Sequence, residues 1–175
     1  MNVTDSPQKL AQKLIVQGNR LIAVDGAHGS GKSTLASELA VLLGAKVIGG
    51  DSFLRKNRGT FFENLDLELL RDAIDPTNIC ILESICLRQI VQALSIKPDS
   101  FIYVKRMARW GWADEDELVP VVPIEEHLAR LKNQAKMFLD GPEHEDLGLW
   151  DEVIRYHANF APDKHSDFIF LRSDA

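Results

Sequence analysis

One stretch, Gly26-Ala27-His28-Gly29-Ser30-Gly31-Lys32-Ser33-Thr34, narrows the folds open to this chain more than any other. It spaces its residues as G-x-x-x-x-G-K-[ST], between an apolar run at 21–24 and a helical repeat of Leu35, Leu39, Leu42 and Leu43. A buried elbow has no use for the lysine, and a solvent loop has no use for so many glycines. Glycines let a backbone bend tightly enough for successive N–H groups to point inward as a nest. The helix that follows adds the positive end of its dipole. Such a concavity holds a polyphosphate, so residues 26–34 are the expected cradle for ATP. Lys32 brings a compact, mobile charge to the β- and γ-phosphates, and Ser33 offers its hydroxyl to Mg2+. Thr34 is expected on the α-phosphate side. His28 occupies a variable position of the pattern and should stand exposed beside the phosphates.

Composition limits what surrounds this loop. Of 175 residues, 45% are apolar and 26% charged, the balance of a folded globular chain, and the length fits one domain over 1–175. A net charge of −6 argues against a nucleic-acid groove, which needs a concentrated basic face. No uninterrupted apolar stretch approaches the roughly 20 residues that cross a bilayer. The first residues lack a basic flank followed by an apolar core. Cys80 and Cys86 are too few for a disulfide framework, and His127, His144, His157 and His165 show no metal-ligand spacing. A cytoplasmic protein with neither a membrane nor a nucleic-acid partner is expected, its oligomeric state left open.

Ser6-Pro7 reads as an N-cap followed by proline in the first helical turn. Apolar runs at 21–24, 79–82 and 101–104, a weaker one at 46–48 and a last one at 167–171 read as strands covered on both faces. Helical patterns lie between them. One follows the glycine loop and stops at Gly44; another, 66–74, is halted by Asp75-Pro76. Leu87, Ile90, Val91 and Leu94 mark a third, and a fourth runs from Pro123 through Phe138 to Gly141-Pro142. Trp150, Val153 and Ile154 mark the last, ending before Pro162. The alternation predicts an α/β fold in three layers: a mostly parallel five-stranded sheet with helices on both faces.

In open parallel sheets, ligands bind beyond the carboxyl ends of the strands. Asp51 and Glu83 both fall at such ends and are expected to share the crevice of the phosphates. Moving a γ-phosphoryl group to an alcohol needs a carboxylate near the hydroxyl and a metal to carry charge. Asp51 is the candidate that orients or deprotonates the acceptor, and Glu83 the candidate that holds Mg2+ with Ser33, directly or through water. Each also has a plainer reading: Asp51 as a cap on the turn after Gly49-Gly50, Glu83 as a cap on the helix carrying Leu87. Neither an Asn-Lys-x-Asp guanine-reading motif nor an LSGGQ-like helix cap occurs.

Four places spread along most of the chain resemble the uridine kinase-like and phosphoribulokinase-like family of P-loop small-molecule kinases, in the P-loop NTPase superfamily. They are the glycine loop, Gly49-Gly50-Asp51-Ser52-Phe53, Ile81-Leu82-Glu83-Ser84-Ile85, and the tail Tyr156-His157-Ala158-Asn159-Phe160-Ala161-Pro162 with Ser166-Asp167-Phe168-Ile169. The resemblance implies that Asp51 contacts the acceptor hydroxyl and that Glu83 lies beside the metal. It also implies an arginine-rich lid in Lys105-Arg106-Met107-Ala108-Arg109-Trp110, with Arg106 and Arg109 closing over the transferring phosphate. Spaced three apart, those arginines would share one helical face, which equally describes a solvated helix start. The family pattern breaks at Leu54, where an aromatic is usual, at Ser84, where glycine is usual, and at Trp110 in the shortened lid. No hairpin for gripping a base is legible.

Arg88 and Arg130 read as surface residues of amphipathic helices, and 114–117 as a solvated acidic run. Trp110 and Trp112 flank Gly111 and read as packing the loop down or stacking on a ligand. Asn57, Arg58, Phe61 and Phe62 follow Asp51 closely enough to line an acceptor pocket. The expected function is ATP-dependent phosphoryl transfer to a hydroxyl of a small metabolite of the nucleoside, sugar or vitamin kind. The alternative is a nucleotide-binding regulatory or assembly NTPase without such an acceptor.

Overall fold

Residues 2–55, 59–138 and 147–173 are described by the computed structural model. All five apolar runs form strands: β2 (Leu21–Gly26), β3 (Lys46–Gly49), β4 (Cys80–Ser84), β5 (Ser100–Ala108) and β7 (Phe168–Ser173). Two short strands join them, β1 (Asn2–Thr4) and β6 (Gly111–Trp112), so the sheet exceeds the five strands expected. Its order is β1-β7-β5-β2-β4-β3, parallel throughout, with β6 antiparallel to β5. β1 carries no buried side chain and is held by main-chain pairing to β7, with Asn2 N–H donating to Asp167 O at 3.0 Å. Apolar patterning has nothing to report for such a strand.

Side chains alternate along each strand and feed two cores. Ile22 and Val24, Ile81, Ile102 and Val104, and Phe168 and Phe170 pack under α1 (Pro7–Gln17) and α2 (Lys32–Leu43), against Leu10, Leu14, Leu35 and Leu39. Ala23, Leu82, Tyr103 and Ile169 face the other way, toward α3 (Leu67–Ala73), α4 (Leu87–Ala93) and the helices α5 (Glu115–Leu118), α6 (Ile124–Phe138) and α7 (Leu149–Phe160). A short α8 (Pro162–His165) leads into β7. Each fully buried leucine of these cores contributes about 1.5–3 kcal/mol.

The punctuation follows local chemistry. Ser6 Oγ accepts from Lys9 N–H with Pro7 in the first turn of α1, and Gly44 closes α2 at φ 63°. Asp66 caps α3 by accepting from Leu69 N–H at 3.1 Å. The Gly141-Pro142 stop lies outside the described residues, as does the side chain of Phe138.

β5 outruns its apolar stretch. It continues through Lys105, Arg106, Met107 and Ala108 because β7 pairs it on one side and β6 on the other. Residues 105–108 are therefore strand, followed by a turn at Arg109-Trp110, rather than a helix start. Arg106 and Arg109 consequently share no helical face.

Candidate phosphate and acceptor site

The loop leaves β2 at Gly26 and enters α2 directly at Lys32. Gly29 has φ 73° and Gly31, the residue before the helix, φ 87°. The left-handed backbone at Gly31 favours glycine, and Arg172 Cδ lies 2.5 Å from where a Cβ there would stand. Lys32 is 7% exposed, while Ser33 and Thr34 stand exposed on the first turn of α2 and His28 on the loop. Gly26, Ala27 and Ser30 are buried beneath.

β4 lies beside β2 with Glu83 opposite Val24, and beside β3 with Glu83 opposite Gly49. That register carries the Glu83 carboxylate to the mouth of the loop, where Ser33 Oγ donates to Oε2 at 3.1 Å. Oε1 lies 3.0 Å from the place a Cβ on Gly49 would occupy, so the carboxylate crosses the end of β3. Burial raises the Glu83 pKa, Lys32 and the Ser33 hydrogen bond oppose the rise, and the negative charge of Asp51 adds to it. With the Ser33 hydroxyl beside it, this carboxylate presents the hard oxygen donors that Mg2+ takes. The two residues thus fit that ion. Glu83 does not cap α4, whose N-cap is Cys86 at φ 53°.

Asp51 occupies a single 3-10 turn, Gly50–Phe53, directly after β3. Its side chain is exposed and makes no hydrogen bond among the described residues, so turn capping does not consume it. Gly50 is buried against Ser84: a Cβ at position 50 would lie 2.4 Å from Ser84 Oγ. Ser84 is thus housed by a glycine across from it.

The arginines divide. Arg106 Nη2 donates to Asp114 Oδ1 at 2.5 Å, and Asp114 is buried, which corrects the reading of 114–117 as wholly solvated. Arg109 lies exposed in the turn between β5 and β6. The tryptophans divide too. Trp112 packs edge-on to Tyr103, with ring centroids 5.8 Å apart, and Lys105 Nζ sits 3.9 Å over its ring. Trp110 is 84% exposed at the hairpin tip. Arg88 is not a surface residue: it is half-buried, lies 4.1 Å over the Phe101 ring and donates to His165 O at 2.5 Å. Arg130 is exposed as expected. Phe61 is buried and Phe62 half-buried, with their N–H groups bound to Glu152; Asn57 and Arg58 lie outside the described residues.

Two features of the site escaped the sequence reading. Asp25, fully buried just before the loop, accepts from Gly26 N–H at 2.8 Å and from the Tyr156 hydroxyl on α7. The Tyr156 oxygen in turn accepts from Arg88 N–H at 3.1 Å. Burial lifts the Asp25 pKa to about 6 against the pull of these hydrogen bonds and of Arg88. An acid ending a buried strand was the available signal, the same one that marked Glu83. Arg172, on β7, was the second, and no local pattern marks it. Among the described residues no cluster of three or more His, Cys, Asp or Glu could hold a metal by itself, and both cysteines are buried and free. No described helix is long and apolar enough to cross a membrane.

No protein-family model matches the chain, and no curated protein matches it by sequence. Among solved structures it is similar to a possible uridine kinase from Bacillus stearothermophilus, at TM-score 0.54 and 15% identity over 94% of this chain and 96% of that one. A shikimate kinase from Acinetobacter baumannii in complex with shikimate overlaps at TM-score 0.48 and 14% identity, over 94% of this chain and 89% of that one. With a parallel sheet whose central strand opens into the glycine loop, and with the first of these overlaps spanning both chains almost whole, this chain has the P-loop kinase fold.

Proposed function

We propose that this protein is an ATP-dependent kinase that phosphorylates a hydroxyl of a small metabolite of the nucleoside, sugar or vitamin kind. The observation that carries the reading is the Ser33–Glu83 hydrogen bond at the mouth of the loop, with the uncommitted Asp51 carboxylate at the end of the next strand. In this reading the N–H groups of residues 26–34 and the Lys32 ammonium hold the triphosphate. Ser33 and Glu83 hold Mg2+, which when bound neutralises charge on the phosphate oxygens. Asp51 accepts a hydrogen bond from the acceptor hydroxyl and aligns its oxygen with the γ-phosphorus. The acceptor oxygen forms the new P–O bond as the bridge to the β-phosphate breaks; ADP leaves, and the hydroxyl proton passes to Asp51. Arg109, exposed in the turn after β5, and Arg106, whose guanidinium is also held by Asp114, supply charge for the transferring oxygens.

The test is ADP release from Mg·ATP in the presence of pooled hydroxyl metabolites, measured pool by pool. One pool should stimulate release, and Asp51→Asn should lower the stimulated rate by about a hundredfold or more, the scale of general-base effects, with ATP binding intact. Release indifferent to every pool would sink transfer and leave a nucleotide-binding module.

A further inference from the structure

Arg106 on β5 and Arg172 on β7 are register partners in adjacent parallel strands, so their side chains leave the same face of the sheet. The alternation fixes which face. Val104 and Phe170, the partners one pair earlier on that side, Ile102 and Phe168, belong to the core beneath α1 and α2. Arg172 therefore projects toward α2, and its stem lies against the glycine loop: a Cβ on Gly31 would meet Arg172 Cδ at 2.5 Å and Nε at 3.0 Å. Like charges directly opposed on neighbouring strands are unfavourable. Arg106 has a buried counter-charge in Asp114. Among the described residues Arg172 is paired with Glu38 alone, 3.6 Å from Nη1, in a pair that is partly exposed on both sides. That separation is too long for a hydrogen bond, and an exposed ion pair of this kind contributes little.

We propose that Arg172 is a phosphate-binding residue of this site. Its guanidinium, which lies beside Glu38, turns to the polyphosphate of a nucleotide bound around Gly31 and Lys32. The inference rests on reading the loop as a triphosphate site, and it adds a ligand from the last strand, far from the loop in sequence. The planar fork of arginine suits phosphate oxygens, and the contact with Gly31 already places its stem beside the cradle.

Isothermal calorimetry with Mg·ATP and with inorganic tripolyphosphate tests it, on wild type, Arg172→Met, Arg172→Lys, Glu38→Gln and Lys32→Ala. Arg172→Met keeps the stem and should weaken both ligands by about tenfold or more, with a shallower salt dependence, the scale of one lost charge-assisted hydrogen bond. Arg172→Lys should recover part of the loss. Glu38→Gln, which leaves the loop untouched, should bind both ligands as tightly as wild type or severalfold tighter. Unchanged binding by Arg172→Met, or a loss confined to ATP with tripolyphosphate unaffected, overturns the inference while leaving the kinase reading intact. Weaker binding by Glu38→Gln overturns it as well, even if Arg172→Met does not fold. Failure of wild type to bind either ligand, no tighter than Lys32→Ala, overturns both.

Discussion

Ser84 and Gly50 depend on each other. A side chain at position 50 would enter the space of Ser84 Oγ at 2.4 Å and of its Cβ at 2.8 Å. The backbone at Gly50 is not in the left-handed region, so the constraint is volume rather than dihedral strain. Gly50→Ala should therefore cost about 1–3 kcal/mol, the usual penalty of overpacking, and Ser84→Gly should relieve it. Urea unfolding of the two single variants and the double variant measures the coupling, expected at about 0.5–3 kcal/mol. Strict additivity would mean that the crevice repacks freely. Residues of the glycine loop were readable one by one, because each acts through local chemistry: a tight bend, a charge, a hydroxyl. The partner of Ser84 was not, because its neighbour comes from a different strand end.

Among the elements, the β5–β6 hairpin departs furthest from its sequence pattern. Its polar half carries Lys105 and Arg106, which read as a lid or a helix start beyond the strand, yet hydrogen bonds on both sides prolong β5 to Ala108. Arg106–Asp114 and Lys105–Trp112 then tie its two arms to each other, and Lys105, 3.6 Å from Asp163 on α8, reaches the body of the protein. Asp114→Ala removes a buried carboxylate hydrogen-bonded to a guanidinium and should cost about 1.5–3 kcal/mol. Hydrogen exchange should localise the effect, with amides of 105–113 losing more protection than those of β2 and β4. Equal loss everywhere would show that this contact does not secure the hairpin. Helices were legible almost to the residue where a cap announces them, as at Ser6, Gly44 and Asp66, since a cap is a local bond between neighbours. The length of β5 is set by partners distant in sequence, and its own residues do not declare it.

For the whole molecule, the Asp25–Tyr156 contact ties the root of the phosphate loop to α7 across a sequence separation of 131. It also leaves a titration on folding stability. Burial raises the Asp25 pKa from 3.8 to about 6, so between these values the folded chain binds the proton more strongly than the unfolded one. The contribution is whole below about pH 4 and is lost as pH rises through about 6. Its size is on the order of 3 kcal/mol. In Asp25→Asn this dependence disappears. Urea unfolding across that window should show wild-type stability falling relative to the variant as pH rises, and parallel curves would mean that Asp25 is not the group involved.

The amino-acid sequence alone determined the five apolar strands, most helix ends, the parallel layered class and the glycine loop, because hydrophobic periodicity, caps and glycine bends act over a few residues. Only the tertiary structure decided that Glu83 bonds Ser33, that Asp25 meets Tyr156, and that Arg172 lies on Gly31. Those contacts depend on strand order and register, which put residues far apart in the chain side by side and leave no spacing to read.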